Sequence, residues 1–418
     1  MDFIEELQWR GLIKDATDLE GLKERLKQPI TLYCGFDPTA DSLHIGSLQQ
    51  ILLLKRYQMQ GHTPIALCGG ATGMIGDPRP TTERKLQTVE EVDANAKAIE
   101  NQLGLFLDKT GPNAFIAVNN YDWLSKISIL DFLRDFGKHF NINYMINKDI
   151  VSSRLQTGIS FTEFTYTILQ AADFQHLYRN FNCQLQIGGS DQWGNLTSGV
   201  ELIRKTEGEG TKVYGVTSSL ITKSDGSKFG KSEGKNIWLD PAKTDAYSFY
   251  QFWLNVTDND VVSLLKRLSL KPIEEISELI TSIQTDAHLR IAQKALAGEL
   301  TELVHGQDGL AQALRITEVF FSGEWKSLSI DELRSALSEV PHTELCADAL
   351  LVDVLVQAKI ASSKREAREL IQNGSIHING DKITDLSFVV SSEQAFGKQL
   401  TVVRKGKKNY FVVEHVSQ

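Results

Sequence analysis

The 418-residue sequence lacks long hydrophobic runs and contains little cysteine. A membrane-spanning helix needs about 20 consecutive apolar residues, and no run in this sequence approaches that length. The N-terminal stretch MDFIEELQWRGLIKD is acidic and amphipathic, unlike the basic and apolar start of a secretion signal. The cysteines form no C-x-x-C pair, which favours neither a disulfide framework nor a zinc site. They are Cys34, Cys68, Cys183 and Cys346. These absences predict a globular, cytoplasmic protein with reduced thiols.

The net charge is negative, but it is not evenly distributed along the chain. The whole sequence carries a formal charge of −9, whereas residues 350–418 contain ten Lys or Arg and seven Asp or Glu. That segment therefore carries +3, which leaves −12 for residues 1–349. A small basic segment on an acidic chain indicates a polyanionic partner, because phosphate contacts supply most sequence-independent affinity for nucleic acids. An ordinary solvated surface is the alternative on charge alone.

The chain reads as several blocks, and its length predicts two to three domains. Strand-like runs alternate with helical patterns from residue 30 to about 220, which is typical of a parallel α/β sheet. Those runs are ITLYCGF, TPIALCGG, AFIAVNN and CQLQIGG. Apolar residues then recur every three to four positions, which predicts an all-helical block. The predicted segments are an α/β domain (1–222), a mobile lysine-containing loop and connection (223–240), a helical domain (241–321), a linker around Pro341 (322–348) and a small α+β domain (349–418).

The last block, which includes ASSKREARELIQNGSIHINGDKI, predicts a helix followed by strands. Ser363 and Glu366 have the spacing of a capping box, and Gly374 comes just after the helix end. Strand-like SIHING, QLTVVR and NYFVVE follow, and we place four cations on the turn between the last two. This layout resembles a small RNA-binding domain first described in a ribosomal small-subunit protein, whereas an ordinary charged helix and turn is the alternative. The predicted RNA-binding residues are Lys359, Lys364, Arg365, Arg368, Arg404, Lys405, Lys407 and Lys408.

The stretch YCGFDPTADSLHIG joins a predicted strand to a predicted helix. In open α/β sheets ligands bind beyond the carboxyl ends of strands, where helix N-termini offer unpaired N–H groups to anions. Pro38 and Asp41 favour a turn, Gly46 permits close approach of a ligand to the backbone, and His44 is able to donate to a phosphate oxygen. Taken alone, His44 is equally well explained as a capping or packing residue.

A second candidate for phosphate contact is SDGSKFGKSEGK, residues 224–235. It differs from the phosphate-loop pattern G-x-x-x-x-G-K-[ST], because Asp225 occupies the place of the first glycine and no apolar helix follows. What remains is a glycine-rich loop with Lys228 and Lys231 three residues apart and the Ser232 hydroxyl beside them. Lysine is a mobile cation suited to charge that develops on a leaving pyrophosphate. A solvated surface loop is the alternative.

HIGS and KFGKS together resemble the two signature motifs of class I aminoacyl-tRNA synthetases. Five further stretches narrow the resemblance to bacterial-type tyrosyl-tRNA synthetases over essentially the whole chain: YCGFDPTADSLHIG, GGATGMIGDP, NNYDW, TYTILQAADF and GGSDQWGN. The resemblance implies a Rossmann-like catalytic domain, a helical tRNA-contacting domain and an RNA-binding domain. It also implies that tyrosine and ATP form tyrosyl-adenylate and pyrophosphate, and that tyrosine then moves to the 3′ end of tyrosine tRNA. A homodimer is expected by the same resemblance.

The resemblance also implies which residues bind tyrosine. Tyr33 and Asp173 match the pair that contacts the phenol hydroxyl. Asp77, Tyr166 and Gln170 match residues that contact the ammonium group. Tyr166, Gln170 and Asp173 are spaced four and three apart, which places all three on one helix face. The full predicted set is Tyr33, Asp77, Asn120, Tyr166, Gln170, Asp173 and Gln192.

The implied ATP-binding residues are Cys34, Gly35, Asp37, Thr39, His44, Gly46, Gly189, Asp191, Lys228 and Lys231. The implied catalytic residues are Thr39, His44, Arg84, Lys228, Lys231 and Ser232. Neither step requires a protein nucleophile, so these groups would position the reactants and stabilise phosphate charge. We expect Mg²⁺ to arrive with ATP and predict no protein-bound metal, because no dedicated carboxylate cluster is visible. Read alone, each residue is also explained as a cap, a turn former, a buried thiol or a solvated charge.

The sequence departs from the family pattern at two places. Ser47 stands where many class I motifs have a second histidine, so the contribution of that position is open. The stretch after Asp77 and Pro78 reads Arg79, Pro80, Thr81 in place of the familiar small-residue and lysine stretch. Two other functions remain open: a tryptophanyl-tRNA synthetase, and a synthetase-derived RNA-binding regulator without catalysis. The phenol-binding pair argues against the first and the intact His44 and Lys231 argue against the second.

Overall fold

The computed structural model describes residues 1–78, 87–146, 148–152, 154, 158–222, 224, 229, 231–232, 235–338, 340–406 and 409–416. The chain divides into two compact units. The first consists of Met1–Thr244 and Trp253–Val304, and the second of Asp245–Phe252 and His305–Gln418. Within the described ranges, no helix is both long and apolar enough to cross a membrane.

The strands in chain order are β1 (Asp15–Ala16), β2 (Thr31–Phe36), β3 (Thr63–Cys68), β4 (Ile116–Asn119), β5 (Cys183–Gly189), β6 (Tyr214–Ser218), β7 (Lys231–Ser232), β8 (Lys235–Asn236), β9 (His342–Leu345), β10 (Ala349–Leu350), β11 (Ile376–Ile378), β12 (Asp381–Ile383), β13 (Val389–Val390), β14 (Leu400–Lys405) and β15 (Asn409–His415).

The helices in chain order are α1 (Phe3–Trp9), α2 (Leu19–Arg25), α3 (Ile45–Met59), α4 (Gly70–Ile75), α5 (Val89–Phe106), α6 (Tyr121–Leu124), α7 (Ile129–Asp131), α8 (Ile142–Ile146), α9 (Asp149–Ser152), α10 (Phe161–Phe181), α11 (Trp193–Glu207), α12 (Ala246–Leu254), α13 (Asp258–Leu268), α14 (Ile273–Thr285), α15 (Ile291–Ser322), α16 (Ile330–Ala336), α17 (Leu351–Gln357) and α18 (Lys364–Gln372).

The first unit is built on a six-stranded sheet with the order β1-β6-β5-β2-β3-β4. Strands β2 to β6 pair in parallel, and β1 is an antiparallel edge strand. The four predicted strands correspond to β2, β3, β4 and β5, so the predicted parallel α/β fold is confirmed. Strand β1 has only two residues and carries no alternation that the sequence would reveal. The strand order reverses between β2 and β5, and ligands of open α/β sheets bind at such a reversal.

Two helices begin at that reversal and have clear terminal signals. The imidazole of His44 caps α3 by accepting a hydrogen bond from the N–H of Gly46 at 2.9 Å. Ser160 caps α10 through the N–H of Glu163, and Asn182 ends that helix in the left-handed conformation with φ of 50°. These caps fix the two helices whose side chains face the carboxyl ends of the central strands.

Helices α12 to α15 form the predicted helical block. Its residues belong partly to the first unit and partly to the second. The regular conformation of α15 is interrupted at Gly306, which has φ of 73°. Glycine adopts this left-handed conformation without the steric cost that a Cβ imposes.

The second unit contains a five-stranded sheet with the order β12-β11-β14-β15-β9 and a separate pair, β10-β13. Side chains of α17 and α18 pack on one face with Val403 and Val413. Trp325 and α16 pack on the other face with Leu400 and Val402. Successive side chains of β14 thus point to opposite faces, and both faces of the sheet are buried. The predicted α+β class of this region is confirmed.

Residues 322–348 differ from the linker that the sequence predicts. Trp325, Leu333 and Leu337 are buried in the core of the second unit, and β9 pairs in parallel with β15. Pro341 lies directly before β9, and its carbonyl accepts from the N–H of Val412. The mixed composition of residues 322–348 therefore reflects several short helices and strands, since each of them contributes only a few apolar side chains to the core.

Candidate active site

A cleft of about 570 Å³ lies where the strand order reverses in the first unit. It is bounded by the ends of β2 and β5, the start of α3 and one face of α10. Most of the predicted tyrosine- and ATP-binding residues are brought together in its lining. They are Tyr33, Cys34, Gly35, Asp37, Thr39, His44, Gly46, Asp77, Tyr166, Gln170, Asp173, Gly189, Asp191 and Gln192.

One corner of the cleft combines a buried phenol with a buried carboxylate. The hydroxyl of Tyr33 is buried and has no hydrogen-bond partner among the described residues. Burial and the nearby charge of Asp173 raise the pKa of Tyr33 well above its usual value, so this phenol is neutral at physiological pH. Both side chains line the cleft. A ligand hydroxyl in this corner would supply the partner that Tyr33 lacks.

Asp173 is held by two donors behind the cleft. Asn120 Nδ2 donates to Asp173 Oδ2 at 2.9 Å, and Trp123 Nε1 donates to Asp173 Oδ1 at 2.8 Å. Burial raises the pKa of Asp173 to about 7, while these two hydrogen bonds act in the opposite direction by stabilising the ionised form. The carboxylate is thus oriented by the protein and close to its protonation equilibrium at neutral pH.

Asn120 differs in position from the other predicted tyrosine-binding residues. It is fully buried and is not among the residues that line the cleft. Its Nδ2 also donates to Thr72 Oγ1 at 3.0 Å, and its Oδ1 accepts from the N–H of Ala71 at 2.8 Å. The amide therefore ties α4 to Asp173, and Asn120 can influence a ligand through that carboxylate or through Thr72, which lines the cleft.

Two more carboxylates occupy the middle of the cleft. Tyr166 donates its hydroxyl to Asp37 Oδ2 at 3.1 Å, so this predicted ammonium ligand contacts a predicted ATP-binding residue. Asp77 accepts from Gln192 Nε2 at 2.8 Å and from Asn195 Nδ2 at 3.3 Å. Burial raises the pKa of Asp77 to about 6. The grouping of anionic oxygens creates a place that favours a cationic ligand group.

The start of α3 forms the opposite side of the cleft. Because His44 Nδ1 accepts from the N–H of Gly46, a neutral imidazole carries its proton on Nε2. A Cβ at Gly46 would lie within 3.0 Å of that imidazole, so only glycine fits beside it in this conformation. Cys34 also lines the cleft, and burial raises the pKa of its thiol to about 12. A protonated Cys34 can contact a ligand as a small polar group rather than as a nucleophile.

The segment that follows the predicted lysine loop is paired with the start of α3. Ile45 N donates to the carbonyl of Ile237 at 3.0 Å, and Leu239 N donates to the carbonyl of Leu43 at 2.9 Å. Asn236 and Trp238 line the cleft, and the ring of Trp238 lies 6.2 Å from that of His44. The backbone ends of the two motifs thus meet at the same cleft.

Four predicted cationic or hydroxyl groups of the catalytic set are not located. Arg84 and Lys228 lie outside the described residues, as do Arg79, Pro80 and Thr81 of the altered stretch. Lys231 and Ser232 form the short strand β7, which pairs with β8, but their side chains lie outside what the structure describes.

Several residues of the site have no counterpart in the sequence prediction. Gln49 and Gln50 each donate from Nε2 to Ser218 Oγ at 2.8 Å. The side-chain carbonyls of Gln49, Gln50 and Gln186 are buried and have no partner among the described residues. The only sequence signal was a polar pair inside the apolar stretch SLQQILLL, which interrupts the helical pattern. The sequence did not predict a role for Trp123, because an indole that donates to the Asp173 carboxylate from behind the cleft leaves no pattern in the neighbouring sequence.

The predicted RNA-binding cations lie in the second unit and differ in their surroundings. Lys364 pairs with Asp353 at 2.6 Å, and Arg365 pairs with Glu369 at 3.2 Å. Lys405 donates to the carbonyl of Ile360 at 2.8 Å and lies 3.4 Å from Glu366. Lys359, Arg368 and Arg404 make no ion pair with the described residues, and Lys407 and Lys408 lie outside them.

Two expectations about these cations require correction. Arg404 and Lys405 belong to β14 rather than to the turn that follows it. Because side chains alternate along a strand, Arg404 lies on the face of Leu400 and Val402, opposite the face covered by α18. The helix and the strand therefore do not present all their cations together.

The predicted capping box of α18 is also incomplete. Ser363 Oγ accepts from the N–H of Glu366, as expected, but the Glu366 carboxylate accepts from the N–H of Ser362 at 2.7 Å instead of that of Ser363. Ser362 Oγ donates to the same carboxylate at 2.6 Å. The helix start is therefore stabilised by two successive serines. Gly374 follows the helix end with φ of 65°, as predicted.

No cluster of three or more His, Cys, Asp or Glu side chains within the described part of the chain has the arrangement of a metal site.

Comparisons with known proteins give consistent matches over the whole chain. Residues 24–322 match the family described as tRNA synthetases class I (W and Y). Residues 332–413 match the SYY-like C-terminal domain of tyrosine–tRNA ligases. The chain is 53% identical over 417 residues to a tyrosine–tRNA ligase of Staphylococcus carnosus, with 99% of each chain covered. It is 54% identical over 417 residues to that of Bacillus pumilus, again with 99% of each covered.

A solved structure supports the same relationship. The crystal structure of a C-terminally truncated mitochondrial tyrosyl-tRNA synthetase from Aspergillus nidulans is 32% identical and has a TM-score of 0.67. The match covers 76% of this chain and 94% of that one.

The buried state of Asp173 predicts a pH dependence of stability. Its pKa of about 7 in the folded chain exceeds the ordinary value of 3.8, so the folded state holds a proton that the unfolded state releases. Stability should therefore decrease as pH rises from about 4 towards 7, at a rate of roughly 1 kcal/mol per pH unit. Asp173→Asn should lack this contribution, because the amide does not titrate.

The measurement is urea unfolding of the parent and the variant at about pH 5, 6 and 7. Subtracting the two series removes groups common to both, including Asp77. If the difference in unfolding free energy between the parent and Asp173→Asn did not change with pH, Asp173 would titrate near its ordinary pKa.

Proposed function

Because the chain belongs to the tyrosine–tRNA ligases among the class I tRNA synthetases, we propose that its cleft activates L-tyrosine with ATP and that tyrosine is then transferred to the 3′ end of tyrosine tRNA. The first step forms tyrosyl-adenylate and releases pyrophosphate. The observation that carries this proposal is the corner formed by Tyr33 and Asp173, where a buried hydroxyl with no partner in the described part of the chain faces the same cleft as a buried carboxylate.

Tyr33 and Asp173 select the substrate through its phenol hydroxyl. The hydroxyl donates to the Asp173 carboxylate and accepts from Tyr33, so each buried polar group gains a partner. A phenylalanine side chain would leave both groups unsatisfied, and an unsatisfied buried polar group costs on the order of 1 to 3 kcal/mol. The hydroxyl is thus the feature that distinguishes tyrosine in this corner.

The acidic middle of the cleft binds the α-ammonium group. Asp77 and Tyr166 line the cleft with Gln170, and Tyr166 is oriented by Asp37. A substrate ammonium beside Asp77 stabilises its ionised form and offsets the effect of burial on its pKa. Gln192, held by Asp77, lies where it can contact the substrate carboxylate.

ATP binds between the start of α3 and the end of β5. Gly189 and Asp191 contact the ribose, as do Cys34 and the backbone at Gly35, and Asp37 lies close to the nucleotide. Thr39 and His44 face the phosphates at the start of α3, where the helix dipole favours anions and Gly46 permits close approach to the backbone.

The chemistry is in-line attack of the substrate carboxylate on the α-phosphorus. The protein positions both reactants and stabilises charge on the phosphorus and the leaving pyrophosphate. Lys228 and Lys231 supply positive charge, with Arg84 and the hydroxyl of Ser232 as further contacts. Mg²⁺ enters as part of the MgATP substrate.

The second unit supplies contacts to the tRNA outside the reaction centre. Of the predicted cations, Lys359, Arg368 and Arg404 have no acidic partner among the described residues, so none of those residues neutralises their charge. Lys364, Arg365 and Lys405 must exchange an existing partner for phosphate, and Lys407 and Lys408 remain predicted contacts. A cytoplasmic location is consistent with this role.

The chain functions as a homodimer through an apolar region of the first unit. Between residues 129 and 161 several large apolar side chains are exposed, and such clustering is typical of an interface. They are Ile129, Leu130, Leu133, Ile142 and Phe161. A second copy is the expected occupant, because the family resemblance implies a symmetric dimer.

Asp173→Ala should impair tyrosine activation, because the substrate hydroxyl loses its acceptor. We expect kcat/KM for tyrosine to fall at least tenfold, corresponding to one unsatisfied buried hydrogen bond. The measurement is tyrosine-dependent ATP–pyrophosphate exchange, repeated with tryptophan and phenylalanine. Asp93→Ala, which removes an exposed carboxylate on α5, is the matched control.

Unchanged activation kinetics in Asp173→Ala would remove this residue from the pocket. Exchange driven by tryptophan in place of tyrosine would favour the tryptophan-specific alternative. Retained tRNA binding without any exchange would indicate a regulator.

Arg368→Gln should weaken tRNA binding without changing tyrosine exchange. Loss of one phosphate contact should lower affinity roughly three- to tenfold and reduce the slope of log affinity against log salt by about one. Lys398→Asn, which removes another cation of the second unit, serves as the control. Equal salt slopes for the parent and Arg368→Gln would exclude a phosphate contact by Arg368.

Leu130→Asp should shift the chain from dimer to monomer. Its side chain is 74% exposed, so an aspartate costs little in the isolated chain but would bury an unpaired charge in an apolar interface. Sedimentation velocity at several protein concentrations measures the change, with Met59→Asp on α3 as an exposed apolar control. A monomeric parent, or a dimer insensitive to Leu130→Asp, would contradict the assignment.

A further inference from the structure

The phenol-binding corner is supported from behind by two stacked rings. The imidazole of His176 lies on the indole of Trp123, with ring centroids 4.2 Å apart and planes at 8°. The same indole donates from Nε1 to Asp173 Oδ1 at 2.8 Å. Asp173 and His176 are three residues apart on α10 and therefore lie on the same side of that helix. A continuous path of contacts thus runs from His176 through Trp123 to the carboxylate.

The indole needs such support because its own element holds it weakly. Trp123 belongs to α6, which has only four residues, none of them buried. The indole N–H is a donor with a single direction, so rotation of the ring would remove the hydrogen bond to Asp173. A parallel ring at van der Waals distance restricts that rotation and adds the favourable energy of aromatic stacking. The stack therefore helps to keep the N–H directed at the carboxylate, together with the packing of Trp123 against the buried cluster around Tyr33 and Phe174.

We propose that His176 is a positioning residue for tyrosine recognition, because its ring holds the Trp123 N–H on the carboxylate that accepts the substrate hydroxyl. His176 and Trp123 are both absent from the described lining of the cleft, so neither contacts the substrate. The inference rests on the proposed function, since it takes the substrate hydroxyl to be the phenol of tyrosine. His176 and Trp123 thus support, from behind, the corner that is otherwise assigned to Tyr33, Asn120 and Asp173.

The electrostatics of the corner give this role a measurable consequence. Burial raises the pKa of Asp173 to about 7, and the negative charge of Asp37 acts in the same direction. The hydrogen bond from Trp123 opposes both effects. The other titratable groups beside the carboxylate are Tyr33, which is neutral, and His176, whose pKa burial lowers below 6.5. At neutral pH the donor from Trp123 is therefore one of two groups that favour an ionised Asp173.

Loss of the stack should raise the pKa of Asp173 further. A larger fraction of the carboxyl would be protonated at neutral pH, and a protonated acid is a poorer acceptor for the phenol. The KM for tyrosine increases as pH falls through the Asp173 pKa. In a variant without the stack, this increase should begin at a higher pH than in the parent.

The test compares His176→Ala with His176→Phe in the full-length chain. Tyrosine-dependent ATP–pyrophosphate exchange is measured across roughly pH 6 to 9. We expect His176→Ala to raise the KM for tyrosine about three- to tenfold at neutral pH, with the KM for ATP and kcat unchanged. His176→Phe keeps a flat ring against the indole and should restore the parental KM within about twofold.

Asn180→Ala is the matched control on the same helix. The Asn180 amide lies 3.3 Å from His176 Nδ1, so its removal tests a second side-chain contact of the imidazole while leaving the stack. Parental KM and pH profile are expected for this variant. Trp123→Phe should reproduce His176→Ala, and the double variant should add little, because both changes remove one path of contacts.

Three results would overturn the inference. A parental pH profile in His176→Ala would show that the stack does not position the donor. A defect in His176→Phe equal to that in His176→Ala would show that the flat ring is not the relevant feature. Equal changes in the KM for ATP and for tyrosine would indicate a general structural defect. If the parent shows normal tyrosine-dependent exchange, any of these three results overturns the role of His176 and leaves the proposed function intact. If the parent shows no tyrosine-dependent exchange, both the proposed function and the role of His176 are overturned.

Discussion

Pairing of the backbone between residues 43–45 and 237–239 is the constraint on which the cleft depends. The hydrogen bonds from Ile45 to Ile237 and from Leu239 to Leu43 join segments that are far apart in the chain. They hold the start of α3 beside β7 and β8, so the two segments that the sequence predicts to contact phosphate meet at one place.

The cleft is organised as a series of different electrostatic environments along that edge. At one end, a carboxylate and a phenol are buried in a largely apolar corner. In the middle, Asp37 and Asp77 concentrate negative charge that is only partly offset by amide and hydroxyl donors. At the far end, helix N–H groups offer positive partial charge. A ligand with a hydroxyl, an ammonium group and phosphates finds a complementary environment for each, in an order that fits a tyrosine bound next to ATP.

The sequence predicted the strands of the first unit well, because β2 to β5 are continuous apolar runs with few alternatives. It also predicted the shared helix face of Tyr166, Gln170 and Asp173, since helical spacing alone determines that face. The folded elements within residues 322–348 could not be recognised, because they are short and their apolar residues become buried only against β14 and β15. The supports behind the site, including Trp123, were equally invisible, since a donor that orients a carboxylate is defined by distance in space rather than by spacing in the chain.

The protonation equilibrium of Asp173 links ligand capture to the surrounding solvent. At neutral pH a carboxyl group with a pKa of about 7 exists as a mixture of acid and base forms in the empty cleft. A ligand hydroxyl that donates to this group selects the ionised form, so each binding event expels a fraction of a proton into the buffer. The heat measured for binding therefore includes the ionisation enthalpy of the buffer itself. Calorimetry in buffers of different ionisation enthalpy would count the expelled protons directly.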